Sequence, residues 1–501
     1  RQLDGTEGWY IPSQQGCGLV LTIDAEIQEM VEKAMRECIE VNQAQSVICL
    51  VSDVKTGAIL AMCMNPCYDP NDPPRNDAET LTELMRLTAI SDVYEPGSTF
   101  KILTAASALD SGVTTPKDSC YRTAKITVDG ETIRCWGQPH GAETMADGLK
   151  NSCNPVFVEL ALRMGTDTFY RYLTAFGLGK KTGIDLPGES PGILITSRNV
   201  KRVDLARIGF GQSVALTPIQ MMMAANSVIN GGKLMKPYIV SEIQTPDGET
   251  LERFHPTVMA APIRPETSDT MRLLLERVVS EGGGKNAAIA GYRIGGKTGT
   301  AQVYKNGRVV RDTHIGSFYG FAPVNDPQVS ILVIVKEADV PIDYGGTTAA
   351  PFARQIMQEM LQYLGIDPEN DEKDEEIEVP ALKGLTIGDA KRKLSQVGLE
   401  SVTDGANTVV LDQLPPAGAK LVKGGHVMLY TAGSEELTPE ELVCVPDLTG
   451  LGDVDCARLV RQRGLKMSMT GQGLCTEQSP AAGEYVQPGT TIFLLMAGDD
   501  E

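Results

Sequence analysis

A serine three residues ahead of a lysine is a nucleophile with a base in reach, provided both side chains share one face of a helix. The sequence contains this pattern twice, as Ser52-Asp-Val-Lys55 and Ser98-Thr-Phe-Lys101. The first follows the apolar run Val47-Ile-Cys-Leu-Val51 and passes through Lys55-Thr-Gly57 into Ala58-Ile-Leu-Ala-Met62. That is strand, turn, strand, and in a turn the two side chains diverge. The second follows the turn signal Glu95-Pro-Gly97 and opens a helical run to Leu109 that stops near Gly112. Ser98 is therefore expected at a helix N-terminus, where backbone N–H groups and the dipole favour developing negative charge. Lys101 can accept its proton only if desolvated or set beside another cation.

Serine acyl transfer needs partners from elsewhere in the chain. Lys-Thr-Gly occurs at Lys55-Thr-Gly57, Lys181-Thr-Gly183 and Lys297-Thr-Gly299. The first lies in the turn just described, and the second sits among glycines and a proline and reads as a surface loop. Only Lys297-Thr298-Gly299-Thr300 lies on strand-like sequence, Tyr292 to Val303, where small residues let a substrate backbone run alongside and the lysine and threonines bind a carboxylate. Ser-x-Asn occurs as Ser197-Arg-Asn199, with no helix before it, and as Ser152-Cys-Asn154 between two helices. There Asn154-Pro155 is expected as N-cap and first-turn proline of Val156 to Met164. Ser98, Ser152 (54 residues on) and Lys297 (199 on) form an ordered trio characteristic of serine β-lactam-reactive enzymes.

These residues need a frame. At 501 residues the chain exceeds one compact core and suggests roughly two to four domains. A net charge of −20, from 45 basic and 65 acidic residues, argues against nucleic acid and anionic lipid as partners. No run of 18 apolar residues occurs, and Arg1 to Gly18 reads as an irregular polar remnant of an N-terminal region, expected to belong to a longer, membrane-anchored protein. Residues 364–378 include the strongly acidic run Ile366 to Glu378, a self-repelling linker after a mixed α/β domain over 19–363. Beyond it the sequence repeats. Val379-Pro380 recurs as Val445-Pro446 and Gly398-Leu399 as Gly464-Leu465, each 66 residues on. Each unit, 379–433 and 444–498, reads as an amphipathic helix (Thr386 to Val397; Asp453 to Arg463) followed by short strands, a helix packed on a small sheet. The 11 cysteines read mostly as buried thiols, and four histidines give no zinc spacing. Cys120 and Cys135 bracket a hairpin pattern turning at Asp129-Gly130, whose pairing could join their sulfurs.

The stretches Glu95-Pro-Gly-Ser-Thr-Phe-Lys101, Lys150-Asn-Ser-Cys-Asn-Pro155 and Gly295-Gly-Lys-Thr-Gly-Thr-Ala-Gln302 resemble the three active-site motifs of class B penicillin-binding proteins. Leu21-Thr-Ile-Asp24, Gly209-Phe-Gly-Gln212 with Thr217-Pro218, and Gly316 to Pro323 match as well, and the two repeats resemble PASTA modules. The likeness is greatest to the sporulation and division transpeptidase subgroup. It implies a central antiparallel sheet with the Ser98 helix beneath it and the Lys297 strand at its edge. It also implies peptidoglycan D,D-transpeptidation through a Ser98 acyl-enzyme that β-lactams trap, at the extracytoplasmic face of a bacterial membrane. Lys101 would take the serine proton, Ser152 would relay a proton to the leaving amine, and Asn154 would bind the substrate amide. Lys297, Thr298 and Thr300 would hold the terminal carboxylate, and the N–H groups of Ser98 and Thr300 would form the oxyanion hole. D-Ala-D-Ala stem peptides and β-lactams are the implied ligands, a membrane glycosyltransferase the implied partner, and PASTA modules imply cell-wall recognition or bracing. No cofactor or metal is implied, because a serine with a lysine base needs neither. Two alternatives share the fold: a β-lactamase, which needs an additional base that no acidic residue clearly supplies, and a β-lactam or muropeptide sensor. Cys153, at a position where class A β-lactamases commonly carry aspartate, leans away from the former.

Overall fold

The computed structural model describes residues 15–119, 125–135, 143–305, 308–368, 376–403, 409–422, 424–431, 443–471, 473–482, 485–486 and 489–497. The chain forms two compact units, one of 1–377 with 421–425 and the other of 378–420 with 426–501.

The first unit is organised by five antiparallel strands, β1 (Ala44–Asp53), β2 (Ile59–Asn65), β3 (Gly295–Lys305), β4 (Arg308–Ala322) and β5 (Val329–Ala338), in the order β3-β4-β5-β1-β2. The period of two along each strand separates two cores. Val47, Cys49, Val51, Phe318, Ile331 and Val333 face one side; Ile48, Leu50, Tyr319, Phe321, Leu332 and Ile334 face the other. With both faces covered, the strands become near-continuous apolar runs, which is why Val47 to Ser52 are all buried.

The first face is closed by α1 (Ala25–Val41), whose buried residues Ile27, Val31, Ala34, Met35 and Cys38 keep helical spacing. Asp24 caps it, accepting the N–H groups of Glu26 and Ile27 at the end of the Leu21-Thr-Ile-Asp24 stretch. The second face is covered by α2 (Lys101–Asp110), α3 (Met145–Lys150), α4 (Asn154–Ala175), α5 (Pro218–Ile229) and α6 (Pro265–Ser280), and α7 (Ala350–Tyr363) returns to the first. Helix α5 is buried along all its length and starts with a capping box in which Thr217 and Gln220 exchange bonds. Strand β3 lies at the sheet edge, as expected.

The hairpin of Lys125–Val128 and Glu131–Arg134 forms as read, with positive φ at Asp129 (50°) and Gly130 (87°) matching a type I′ turn. Cys120 lies outside the described residues, and so does its suggested bridge to Cys135. Cys38, Cys49, Cys63, Cys153, Cys456 and Cys475 are buried. Residues 1–14 and linker residues 369–375 also lie outside the described set.

In the second unit α8 (Ile387–Gln396) accompanies β6 (Glu400–Thr403), β7 (Val410–Leu414) and β8 (His426–Thr431), ordered β6-β8-β7. Helix α9 (Asp453–Gln462) accompanies β9 (Lys466–Gly471), β10 (Leu474–Ser479) and β11 (Thr491–Ala497), ordered β9-β11-β10. In each, the first pairing is parallel and the second antiparallel, so the repeat is structural as well as sequential. One shared detail was not read from the sequence. Gln413 Oε1 accepts the Leu382 N–H at 2.6 Å and its amide donates to Pro380 O at 3.0 Å; Gln478 makes the same pair with Leu448 and Pro446, at 2.7 and 3.0 Å. A proline-flanked entry loop has few backbone partners of its own, and the glutamine supplies both. Among the described residues no helix is long and apolar enough to cross a membrane.

Candidate active site

Ser98 lies in a 3₁₀ turn, Gly97–Phe100, that runs directly into α2. The expected helix is there, but its first turn is tighter than an α-helix. With three residues per turn, positions i and i+3 eclipse, which sets Lys101 on the same face as Ser98. Gly97 permits this turn. Its φ is +53°, and a Cβ there would come within 2.7 Å of Thr300 O. The turn is thus pressed against β3, bringing Ser98 beside Thr300 from a segment two hundred residues away.

Lys101 is fully buried. Its Nζ lies 2.6 Å from Ser152 O, 2.7 Å from Asn154 Oδ1 and 3.1 Å from Ser152 Oγ, with the Phe157 ring centroid 5.4 Å away. The carbonyl and amide oxygens only accept, so Lys101 donates an N–H to each. Burial first, and the neighbouring Lys297 second, push the Lys101 ammonium well below its ordinary value. Lys297, from β3, is also fully buried; its Nζ reaches Ser152 Oγ at 3.0 Å and Thr298 O at 3.0 Å, and burial lowers it to about 7. Ser152 Oγ therefore bridges two lysines, both held below the ordinary lysine range by burial.

The Ser152–Asn154 corner is shaped for this. Ser152 takes a positive φ of 57° between α3 and α4. Asn154 was expected as the N-cap of α4, but Cys153 occupies that position and Asn154 is the first helical residue. Its side chain serves Lys101 instead, and its Nδ2 donates to Arg134 O at 3.1 Å, leaving one N–H for a ligand.

Thr298 and Thr300 project from the other face of β3. The Thr298 side chain lies beside Gly346, and Thr300 Oγ1 accepts the Gly345 N–H at 3.4 Å. Gly299 carries no side chain because a Cβ would stand 2.4 Å from Ser317 Oγ. The Gly209–Gln212 stretch lies behind the nucleophile: Gly97 N–H donates to Gly211 O at 3.0 Å, and Glu95 Oε1 accepts the Ser213 N–H at 2.9 Å. Glu95 as a clamp, and the turn at Asp343–Gly346, were not found from sequence; only the Glu-Pro-Gly signal pointed near the first.

The discarded patterns lie elsewhere. Ser52 is buried in β1 and accepts from Asn226, while Lys55 pairs with Asp326 at 2.7 Å. Thr182 donates to Glu189 in a loop. Among the described residues no group of three or more His, Cys, Asp or Glu side chains could hold a metal.

A serine, two buried amines and a strand edge can perform acyl transfer, and similarity to known proteins bears on which. Residues 47–358 match the profile of the penicillin binding protein transpeptidase domain, and 377–433 and 443–498 each match the PASTA domain. The chain is 37% identical to stage V sporulation protein D of Bacillus subtilis, over 85% of this chain and 67% of that protein. It is 32% identical to penicillin-binding protein PbpB of Mycolicibacterium smegmatis, over 72% of this chain and 58% of that protein. With peptidoglycan D,D-transpeptidase FtsI of Escherichia coli it shares 30%, over 71% and 58%. It thus spans between 58% and 67% of the length of these relatives. Among solved structures, penicillin binding protein 3 of Mycobacterium tuberculosis complexed with ampicillin superposes with a TM-score of 0.67 at 28% identity, over 72% of this chain and 82% of that one.

Proposed function

The chain belongs to the class B penicillin-binding protein transpeptidases and carries two PASTA domains, and from that membership we propose that it cross-links peptidoglycan stem peptides through an acyl-enzyme on Ser98. The observation that carries the reading is Ser152 Oγ, within 3.1 Å of Lys101 Nζ and 3.0 Å of Lys297 Nζ. A hydroxyl shared by two buried amines supports a proton path between Lys101 and Lys297.

Ser98 Oγ passes its proton to neutral Lys101 and attacks the carbonyl of the penultimate D-alanine. The N–H groups of Ser98 and Thr300 steady the oxyanion. The C–N bond breaks as Ser152, reprotonated from the lysines, gives a proton to the departing D-alanine amine. An amine on a neighbouring stem then displaces Ser98 from the ester; water in its place gives D,D-carboxypeptidation as a side reaction. Asn154 offers its remaining N–H to the substrate amide, while Lys297, Thr298, Gly299 and Thr300 present the terminal carboxylate site. A β-lactam enters as the same acyl donor, but its leaving group stays attached. Stem peptides place the enzyme at the extracytoplasmic face of the cell membrane, where a glycosyltransferase supplies the glycan strands.

Intact mass after treatment with benzylpenicillin tests the assignment. One stoichiometric, persistent adduct is expected on the unaltered chain and none on Ser98→Ala. Label on the variant, or rapid turnover of nitrocefin, would overturn it.

A further inference from the structure

The turn Asp343–Gly346 lies on the outer side of β3 and is held there from several directions. Asp343 is 6% exposed and accepts two bonds from one residue of β4: the His314 backbone N–H at 2.7 Å, and the His314 ring, whose Nδ1 lies 2.8 Å from Oδ1. Both carboxyl oxygens of Asp343 lie within 2.9 Å of Nδ1 and accept, so the ring proton is placed on Nδ1. The ring also meets Tyr344 edge-on, with centroids 6.0 Å apart. At the far end Asn286 Nδ2 donates to Gly346 O at 2.9 Å. Between these anchors the backbone runs so close to the sheet that a Cβ on Gly345 would stand 2.2 Å from both Gly299 O and Ser317 O.

The consequence falls on Thr300. Its Oγ1 accepts the Gly345 N–H, which occupies a lone pair and leaves its single O–H to be donated elsewhere. We propose that Asp343, acting through His314, is a positioning residue for the carboxylate site: it fixes the 343–346 turn so that Gly345 N–H turns the Thr300 hydroxyl into a donor toward a bound carboxylate. Asp343 touches no substrate. Its contribution is to specificity for an anionic group at this place, and the inference rests on the reading of Thr300 as a carboxylate ligand.

Acylation by benzylpenicillin and by its methyl ester, which lacks the negative charge, measures that specificity as a ratio of rates. Asp343→Ala should lower the acid-to-ester ratio about tenfold, while Asp343→Asn, which keeps an oxygen acceptor, stays within about threefold of the unaltered chain. A purely structural role would slow both substrates alike and leave the ratio unchanged, and that result overturns the inference. Should Asp343→Ala show no cooperative thermal transition, His314→Gln decides, since it removes only the ring bond; an unchanged ratio there is equally fatal. Thr300→Val separates the two levels. Loss of the ratio in Thr300→Val but not in Asp343→Ala refutes the positioning role alone, and an unchanged ratio in Thr300→Val refutes the carboxylate reading on which it stands.

Discussion

Two buried lysines share Ser152 Oγ, yet their shifts are unequal in cause. Lys101 is lowered by burial and by Lys297, whereas Lys297 is lowered by burial alone. Lys297, at about 7, carries charge on the acid side of neutrality. Acylation by benzylpenicillin should therefore decline as pH rises through about 7, because its carboxylate loses a cationic partner. The methyl ester should show no such limb. Rate profiles from pH 6 to about 9 check this, and parallel profiles for the two compounds would refute the role given to Lys297. The same burial opposes folding. Between about 7 and the unfolded value near 10.4 the unfolded chain holds the extra proton, so the contribution of this group to stability grows as pH rises.

At the scale of elements, reactivity depends on how closely the Ser98 turn approaches β3. Gly97 has a φ of +53°, and its missing Cβ makes room for Thr300 O. Gly97→Ala should leave the fold intact but displace the turn by a fraction of an ångström to an ångström. The expected loss in penicillin acylation is about 100-fold, read by fluorescent penicillin labelling over time; a rate within about threefold would show that the approach is not limiting. The active-site motifs were legible because each carries local punctuation: Glu-Pro-Gly before Ser98, Pro155 behind Asn154, glycines around Lys297. The 3₁₀ character of residues 97–100 was not. An α-helix and a 3₁₀ turn accept the same residues, and only packing against β3 and Gly211 selects the tighter form. For the same reason Asn154 was misread as a cap: its side chain satisfies either a helix terminus or Lys101, and burial of the lysine decided.

At the scale of the whole molecule, the catalytic unit and the second of the repeats have hydrophobic cores of their own. Gln478 braces the entry loop of that repeat, as Gln413 does in the first. Gln478→Ala leaves a half-buried N–H and carbonyl without their partner and should cost about 1 kcal/mol. In scanning calorimetry only the transition of the 378–501 portion should move, while acylation by benzylpenicillin should raise only that of the catalytic unit. A single transition responding to both changes would refute separate cores. The net charge of −20 is a whole-chain property too, and it argues against nucleic acid as a partner without reference to any fold.

The sequence by itself singled out Ser98 as the candidate nucleophile, its two partner segments, the rejection of Ser52 and the spare triplets, and the doubling of the C-terminal module. Each of these rests on short-range chemistry: periodicity, turn residues, spacing along the chain. Only the tertiary structure decided what those residues do to one another. Burial of Lys101 and Lys297 against a shared hydroxyl, the contact of Gly97 with Thr300, and the clamp of His314 by Asp343 join residues 29 to 203 positions apart. No local pattern encodes a distance across such gaps. Desolvation is likewise a property of the assembled core: the fold removes the water around Lys101 and pushes it well below its ordinary value, which its place in the sequence could not show.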